Sequence, residues 1–374
     1  MMTILGFGMM RLPLKDPDNK KSIDYDILNA MVDRYMESGM DYFDTAYMYH
    51  DEMSESALRR SVVERYPRDS FRVATKMPLM FLKEVGDQER IFDEQLERCG
   101  VEYFDNYLLH NVCGEFISVA EDLDTFGFLR KKRDEGRIRK LGFSFHDQAE
   151  LLEKVLTEHP DMDFVQLQVN YLDWDDPSIK SRECCEVARR HGVPVIVMEP
   201  VKGGLLADVP EAVSDIFRAI EPEMSPATWA IRFAASRDGV EVVLSGMSDM
   251  GQLEENIACL DGFTGFDERH MSALDEAVSI IRSSVAVPCT ACRYCIKSCP
   301  KDIPIADYFS LYNAEKAHPS KEFSIQGLYY GNIAKVHSRA SDCIGCGMCA
   351  RNCPQHLDIV ELLKDVSSLF EGRK

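Results

Sequence analysis

The chain has 374 residues, 45% of them hydrophobic, and a formal net charge of −20. That is enough chain for one large domain and a small one, and so acidic a chain repels phosphate backbones and anionic lipid, which excludes nucleic acid and membrane surfaces as natural partners. No stretch approaches the roughly 18 consecutive apolar residues of a membrane span, Met1–Met10 lacks the cationic and apolar regions of a signal peptide, and thirteen cysteines imply a reducing compartment, so a cytoplasmic protein is expected.

Up to about residue 265, short apolar runs alternate with amphipathic ones. Met2–Gly8 opens the series as a strand. Tyr25–Ser38 has helical periodicity and Gly39 closes it. Asp41–Asp44 is a short strand, and Ser54–Glu64 a helix with Glu52 and Glu55 at or near its first turn. Phe71–Lys76 is a strand, Asp87–Cys99 a helix stopped at Gly100, Tyr103–His110 a strand, and Leu123–Glu135 a helix stopped at Gly136. Arg139–Ser144, Asp163–Asn170, Val193–Met198 and Val240–Leu244 are the remaining strands. Asp147–Thr157, Ser178–His191, Ala212–Ile220, Pro226–Ser236 and Met250–Leu260 are the helices that follow them, and Asp267–Ile281 is an extra helix.

The eight strands read as continuous apolar runs, which is how parallel strands buried on both faces look. Eight strand–helix units in about 260 residues predict an α/β fold of the (β/α)8 TIM-barrel type. An open doubly wound sheet is the alternative, but no G-x-G-x-x-G follows the first strand. In a barrel the chemistry sits at the C-terminal strand ends, which here carry Asp44, Lys76, His110, Ser144, His146, Gln168, Asn170, Glu199 and Ser245.

The last quarter holds Cys289, Cys292, Cys295 and Cys299 followed by Pro300, then Cys343, Cys346, Cys349 and Cys353 followed by Pro354. Each run is C-x2-C-x2-C-x3-C-P, the bacterial ferredoxin spacing for [4Fe–4S] clusters. Three close thiolates wrap one cubane, and the turn carries the fourth to the other cluster. Cys289, Cys292, Cys295 and Cys353 are therefore assigned to one cluster, and Cys343, Cys346, Cys349 and Cys299 to the other. Structural zinc takes about four ligands, commonly as two separated pairs, and disulfides suit small secreted domains. Both rivals fit two runs of four less well. The domains expected are a barrel over 1–265 and, over 266–374, a connecting helix with an α-helical ferredoxin-like domain. The spacer residues Tyr308, Phe309, Tyr312, Phe323, Tyr329 and Tyr330 suggest an inserted helical segment packing on the barrel. Cys99, Cys113, Cys184, Cys185 and Cys259 are expected to be small buried hydrophobes, with Cys113 set apart because it follows a strand end.

Phe43-Asp44-Thr45-Ala46 with Tyr49, Thr75-Lys76, and Leu108-Leu109-His110 resemble the aldo-keto reductase tetrad. Gly136-Arg137-Ile138-Arg139, Gly142-Phe143-Ser144 and Gln252-Leu253-Glu254-Glu255-Asn256 are similar to further motifs of that family. With the cysteine runs, the chain looks like the branch that carries a C-terminal ferredoxin-like domain. The resemblance implies an oxidoreductase acting on a small carbonyl or alcohol, with Asp44, Tyr49, Lys76 and His110 as catalytic residues. Tyr49 would give a proton to a carbonyl oxygen, Lys76 would lower its pKa, Asp44 would hold Lys76, and His110 would orient or polarise the carbonyl. Ser144, Gln168, Lys202, Gly203, Gly204, Ser245 and Asn256 would contact a nicotinamide cofactor. The chain departs from the family pattern at Phe145, where an asparagine is usual, and at Met198, where an aromatic is usual. Gln252 and Gly246 replace the cations that bind a 2′-phosphate, so NADP is not favoured over NAD. Val201-Lys202-Gly203-Gly204 reads either as a pyrophosphate cradle or as an ordinary glycine loop, and His50 stands where the family tends to have glycine.

A nicotinamide gives two electrons at once and a cluster takes one, so a flavin or another splitter is the usual go-between. Three readings follow: a flavin or an external partner such as ferredoxin links clusters to barrel, the clusters feed the barrel singly without nicotinamide, or the clusters are structural. The functional expectation is an oxidoreductase whose two clusters relay electrons to or from the barrel site. The alternative is an electron-transfer module docking a larger redox complex, with the barrel as scaffold.

Overall fold

The structure, a computed structural model, describes residues 4–114, 116–176, 179–283, 286–289, 293–317, 324–353 and 355–372. The chain divides into two compact units, Met1–Asp175 with Ile179–Ala273, and a second whose main body is Leu274–Lys374. The division falls inside helix Glu268–Ser283, beyond residue 265.

In the first unit eight parallel strands close on themselves in sequence order. They are β1 Ile4–Gly8, β2 Tyr42–Asp44, β3 Arg72–Pro78, β4 Phe104–Val112, β5 Ile138–Phe145, β6 Phe164–Gln168, β7 Val195–Met198 and β8 Val240–Gly246. This is the expected TIM barrel. Side chains alternate in direction along a strand. The register sets even-numbered residues beside even-numbered ones, as with Lys76 and Leu108, Leu108 and Gly142, and Gln166 and Ile196. Tyr42, Ala74, Leu108, Phe164, Ile196, Val242 and Leu244 accordingly form one buried cluster inside the barrel. Glycine at 142 leaves room for it, because a Cβ there would lie 2.4 Å from the Phe164 carbonyl oxygen. Two residues further along the same inward faces stand Asp44, Lys76, His110, Ser144, Gln166 and Met198. Beyond the packed layer, toward the C-terminal strand ends, this next layer is polar apart from Met198.

Two helices differ from expectation. The helix expected over Leu123–Glu135 forms over Thr125–Asp134 and is preceded by a further helix, Ile117–Asp122: between them Asp124 takes φ +49°, and its side chain accepts from the Gly127 N–H to cap the second. A short acidic side chain tolerates the left-handed conformation and offers the cap, so it outcompetes helix continuation. The helix expected over Ser54–Glu64 is α-helical only over Ser54–Leu58 and widens to a π turn over Arg59–Val63.

The second unit is helical, with Ile305–Ala317, Ile325–Val336 and Ile359–Phe370 as its longer elements. Tyr308, Phe309, Tyr312 and Tyr330 are buried with Val287, Ile303, Ile359, Leu363 and Val366. These aromatics, expected in a helical segment packing on the barrel, build the core of their own unit. Tyr329 is exposed, and Phe323 lies outside the described residues. Among the described residues no helix is long and apolar enough to cross a membrane.

Candidate active site and cluster-binding region

Lys76 is fully buried at the end of β3, where its Nζ lies 2.6 Å from Asp44 Oδ1 and 2.7 Å from the Thr45 carbonyl oxygen. Gln166 Nε2 donates to the second Asp44 oxygen at 3.1 Å. Burial opposes the lysine's charge, but the Asp44 carboxylate and then the Tyr49 phenol lift its pKa above the ordinary value. The ammonium sits 5.0 Å from the Tyr49 ring centre, and that ring meets His110 edge-on at 6.1 Å. The structure thus brings together all four residues of the expected tetrad. Burial raises the Tyr49 pKa, and the opposing pull of Lys76 is the smaller effect. This corrects the expectation of a lowered phenol pKa, because loss of solvent penalises phenolate more than one cation repays. His110 is held well below the usual histidine range by burial, by Lys76 and by His146, so it is neutral. Its Nδ1 is buried and has no hydrogen-bond partner among the described residues.

The backbone behind the strand ends is strained. His50, Asp51 and Glu52 follow Tyr49 with φ of 52°, 49° and 72°, Asn111 follows His110 at 65°, and Glu199 follows Met198 at 55°. Such residues persist where their surroundings over-determine them. His50 illustrates this: its Nε2 accepts from the Leu12 N–H at 3.0 Å, and its Nδ1 lies 2.9 Å from the Lys20 carbonyl oxygen. Only the Nδ1–H tautomer satisfies both, so His50 pins the loop after β1 and fixes the turn that carries Tyr49.

The residues expected to hold a cofactor fall into three groups. Ser144 Oγ accepts from the Asn111 N–H at 2.9 Å, which leaves its own hydroxyl proton to donate. Gln168 Nε2 donates to Asp173 at 2.7 Å, which leaves its Oε1 to accept. Lys202 Nζ reaches the other Asp173 oxygen at 2.6 Å, and Asn170 donates to Asp173 as well. Gly203 and Gly204 take φ of 67° and 104° beside Lys202. Ser245 and Asn256 are joined to each other at 3.0 Å, tying β8 to helix Met250–Leu260. Asp173 is the hub of this arrangement, and nothing in its sequence setting singles it out. Gln166 was legible in principle, since it shares the inward face with Gln168.

The two cysteine runs fold alike. Short helices Tyr294–Lys297 and Met348–Arg351 occupy matching places, preceded by Arg293 at φ 60° and Gly347 at φ 69°. Asp302 and His356 match in the same way, at 52° and 53°. One cavity is lined by Cys289, Cys295 and Cys353, and another by Cys299, Cys343, Cys346 and Cys349. Cys353, the last cysteine of the second run, therefore shares a cavity with Cys289 and Cys295 of the first, and Cys299 shares one with Cys343, Cys346 and Cys349 of the second. Cys292 lies outside the described residues. Of the remaining cysteines, Cys99, Cys184, Cys185 and Cys259 are buried and Cys113 is partly buried.

Residues 4–279 match the aldo/keto reductase family and residues 288–357 a 4Fe-4S dicluster domain. The chain belongs to the aldo/keto reductase family. It is 27% identical over 276 residues to an aldo-keto reductase of Mycobacterium avium, covering 73% of this chain and 85% of that protein. It is 25% identical over 281 residues to L-galactose dehydrogenase of Arabidopsis thaliana, covering 68% and 85%. Among solved structures, an aldo-keto reductase from Klebsiella pneumoniae in complex with NADPH superposes with a TM-score of 0.56 at 18% identity, covering 74% of this chain and 90% of that one. The fold and the oxidoreductase class follow from family membership, and the iron–sulfur domain sets this member apart from a bare barrel.

In this aldo/keto reductase a second polar group lies behind the lysine, between sheet and helices. Gln95 Nε2 donates to Glu55 at 2.6 Å and to the Lys76 carbonyl oxygen at 3.1 Å, while Thr75 donates to Glu55 at 2.7 Å. Burial pushes the Glu55 carboxyl up to about 7 from 4.5, against the bonds from Thr75 and Gln95. The folded state thus binds a proton that the unfolded chain releases near 4.5. The stabilisation is complete below that pH and is lost as pH rises toward 7, a change on the order of 3 kcal/mol. Thermal melts from about pH 5 to pH 7.5 are expected to favour Glu55→Gln over the native protein progressively as pH rises. Parallel curves for the two proteins would contradict a protonated Glu55.

Proposed function

We propose that the barrel interconverts a small carbonyl compound and its alcohol at Asp44, Tyr49, Lys76 and His110, and that two [4Fe–4S] clusters in the second unit exchange electrons with that chemistry one at a time through a flavin or similar centre that takes two electrons and passes them singly. The observation that carries the first half is the buried Lys76–Asp44 pair at 2.6 Å beside the Tyr49 ring. A nicotinamide, when bound, supplies the hydride that reaches the carbonyl carbon. Tyr49 gives its proton to the oxygen on which negative charge develops, and Lys76 stabilises the phenolate left behind. A phenol with a raised pKa keeps that proton until the substrate oxygen becomes basic. Asp44 and the Thr45 carbonyl hold Lys76 in reach. Neutral His110 has hydrogen-bonding capacity to spare for the carbonyl oxygen.

The remaining capacity at the barrel mouth suits a carboxamide, which needs one donor and one acceptor. Ser144 has a hydroxyl proton free and Gln168 a carbonyl oxygen, each oriented by the partner that takes its other atom. Phe145 removes one donor that the family resemblance implies, so the clamp is reduced but workable. Lys202, Gly203 and Gly204 would take the pyrophosphate. The clusters would be held by Cys289, Cys292, Cys295 and Cys353, and by Cys343, Cys346, Cys349 and Cys299, and they supply single-electron storage. Cysteine thiolates in this number fit a reducing, cytoplasmic setting.

Tyr49→Phe is expected to lose turnover by about 100-fold or more while visible absorbance of the clusters is unchanged; full turnover in that variant would exclude the phenol as proton donor and favour the scaffold reading. Iron analysis tests the crossed ligation. Cys289→Ser with Cys353→Ser removes two ligands of one cluster and should keep about half the iron, whereas Cys343→Ser with Cys353→Ser strikes both clusters and should lose nearly all of it. The reverse ranking would mean that each run holds its own cluster.

A further inference from the structure

The second unit shows one face where apolar side chains, unpaired cations and a cluster cysteine meet. Cys346 is exposed. Ile344 and Met348, which flank it, are 61% and 37% exposed, unusual for apolar residues in a unit otherwise able to bury tyrosines completely. Lys301 lines the same cavity as Ile344, Cys346 and Gly347, and Arg351 Nη1 comes within 3.6 Å of where a Cβ on Gly347 would stand. Both cations are exposed, and neither forms an ion pair among the described residues. The acids near this run in sequence are engaged. Asp302 pairs with His337 at 2.7 Å and Glu361 with Lys364 at 2.6 Å. Asp342 accepts from the Arg339 N–H at 2.8 Å, and Asp358 caps its helix through the Glu361 N–H at 3.3 Å. On a chain of net charge −20, this face offers two exposed cations with no ion-pair partner among the described residues.

We infer that this face is the port through which the cluster of Cys343, Cys346, Cys349 and Cys299 exchanges electrons with a separate acidic, one-electron carrier protein. The inference rests on the reading that this cavity holds a [4Fe–4S] cluster. The apolar pair supplies a small dry contact of the kind that transient electron-transfer complexes use. The two cations orient an acidic partner over it and raise the encounter rate. The thiolate at the edge shortens the path from solvent to the iron. In the reducing direction the carrier loses one electron and the oxidised cluster gains it, with no bond made or broken. The overall charge of the chain repels such a partner at long range, so productive docking depends on these few local residues.

The test uses the full-length holoprotein under anaerobic stopped flow, following bleaching near 400 nm after mixing with a reduced acidic ferredoxin, and separately with a photoreduced deazaflavin as a small reductant. Lys301→Glu with Arg351→Glu, and separately Ile344→Ser, should each slow reduction by the ferredoxin on the order of tenfold and leave reduction by deazaflavin unchanged. Equal ferredoxin rates in native protein and both variants would overturn the port while leaving the cluster in place. So would a native protein that deazaflavin bleaches and ferredoxin does not. Absence of a cubane spectrum from the native protein would instead remove the cluster reading on which the port depends.

Discussion

A lysine ammonium with no exposure to solvent is the constraint on which the barrel depends. Taking such a charge out of water costs several kcal/mol, and an unpaired Lys76 would shed its proton. Asp44 prevents this at 2.6 Å, the Thr45 carbonyl adds a second acceptor, and Gln166 completes the carboxylate. Replacing such a pair with apolar residues of similar volume often leaves a fold as stable or makes it more so. Its place here is explained better by chemistry: a fixed positive charge, screened from water, acts strongly on whatever charge develops at the neighbouring phenol.

The rest of the barrel mouth serves that geometry. The left-handed turn from His50 to Glu52 is costly, and His50 offsets part of the cost with two hydrogen bonds to the loop after β1. Behind the lysine, Gln95 ties the Lys76 carbonyl to Glu55 and Thr75, so the end of β3 is held from the helix side as well as from the barrel interior. Asp173 does for Gln168 and Lys202 what Asp44 does for Lys76, fixing which atoms remain available to a ligand. Of the residues proposed for the site, Asp44, Lys76 and His110 are strand residues and Tyr49 stands on the turn after β2, while His50, Glu55, Gln95 and Asp173, which brace this region, come from loops and helices.

That difference explains what could be read from the chain alone. Parallel strands buried on both faces leave unbroken apolar runs, so the eight strands were legible. The C-terminal ends of those strands then singled out Asp44, Lys76 and His110 as candidates. The doubled cysteine run was legible because its spacing is a local property, and the matching backbone angles at Arg293 and Gly347 follow it. Asp173, Glu55 and His50 were not legible in these roles, because each acts through hydrogen bonds whose partners only the closed barrel brings near. The helix Ile117–Asp122 and the cap at Asp124 were not read for a related reason: an aspartate in a helix's first turn and an aspartate capping that helix look the same in sequence. The spacer aromatics were placed in the right unit but not in its core, because apolar content says that a helix is buried without saying against what.

The account joins two-electron chemistry in the barrel to one-electron carriers in the second unit. A hydride cannot be halved without a centre that accepts two electrons and passes them singly. The most direct measurement is absorbance near 400 nm of anaerobically purified protein before and after addition of NADH, then NADPH, with dithionite as the final reductant. Bleaching by a nicotinamide is the result expected, and it would mean that electrons delivered at the barrel reach the clusters through a bound flavin or similar two-electron centre. Clusters that dithionite bleaches and neither nicotinamide touches would contradict the coupling, and would leave the barrel and the iron–sulfur unit as separate functions on one chain.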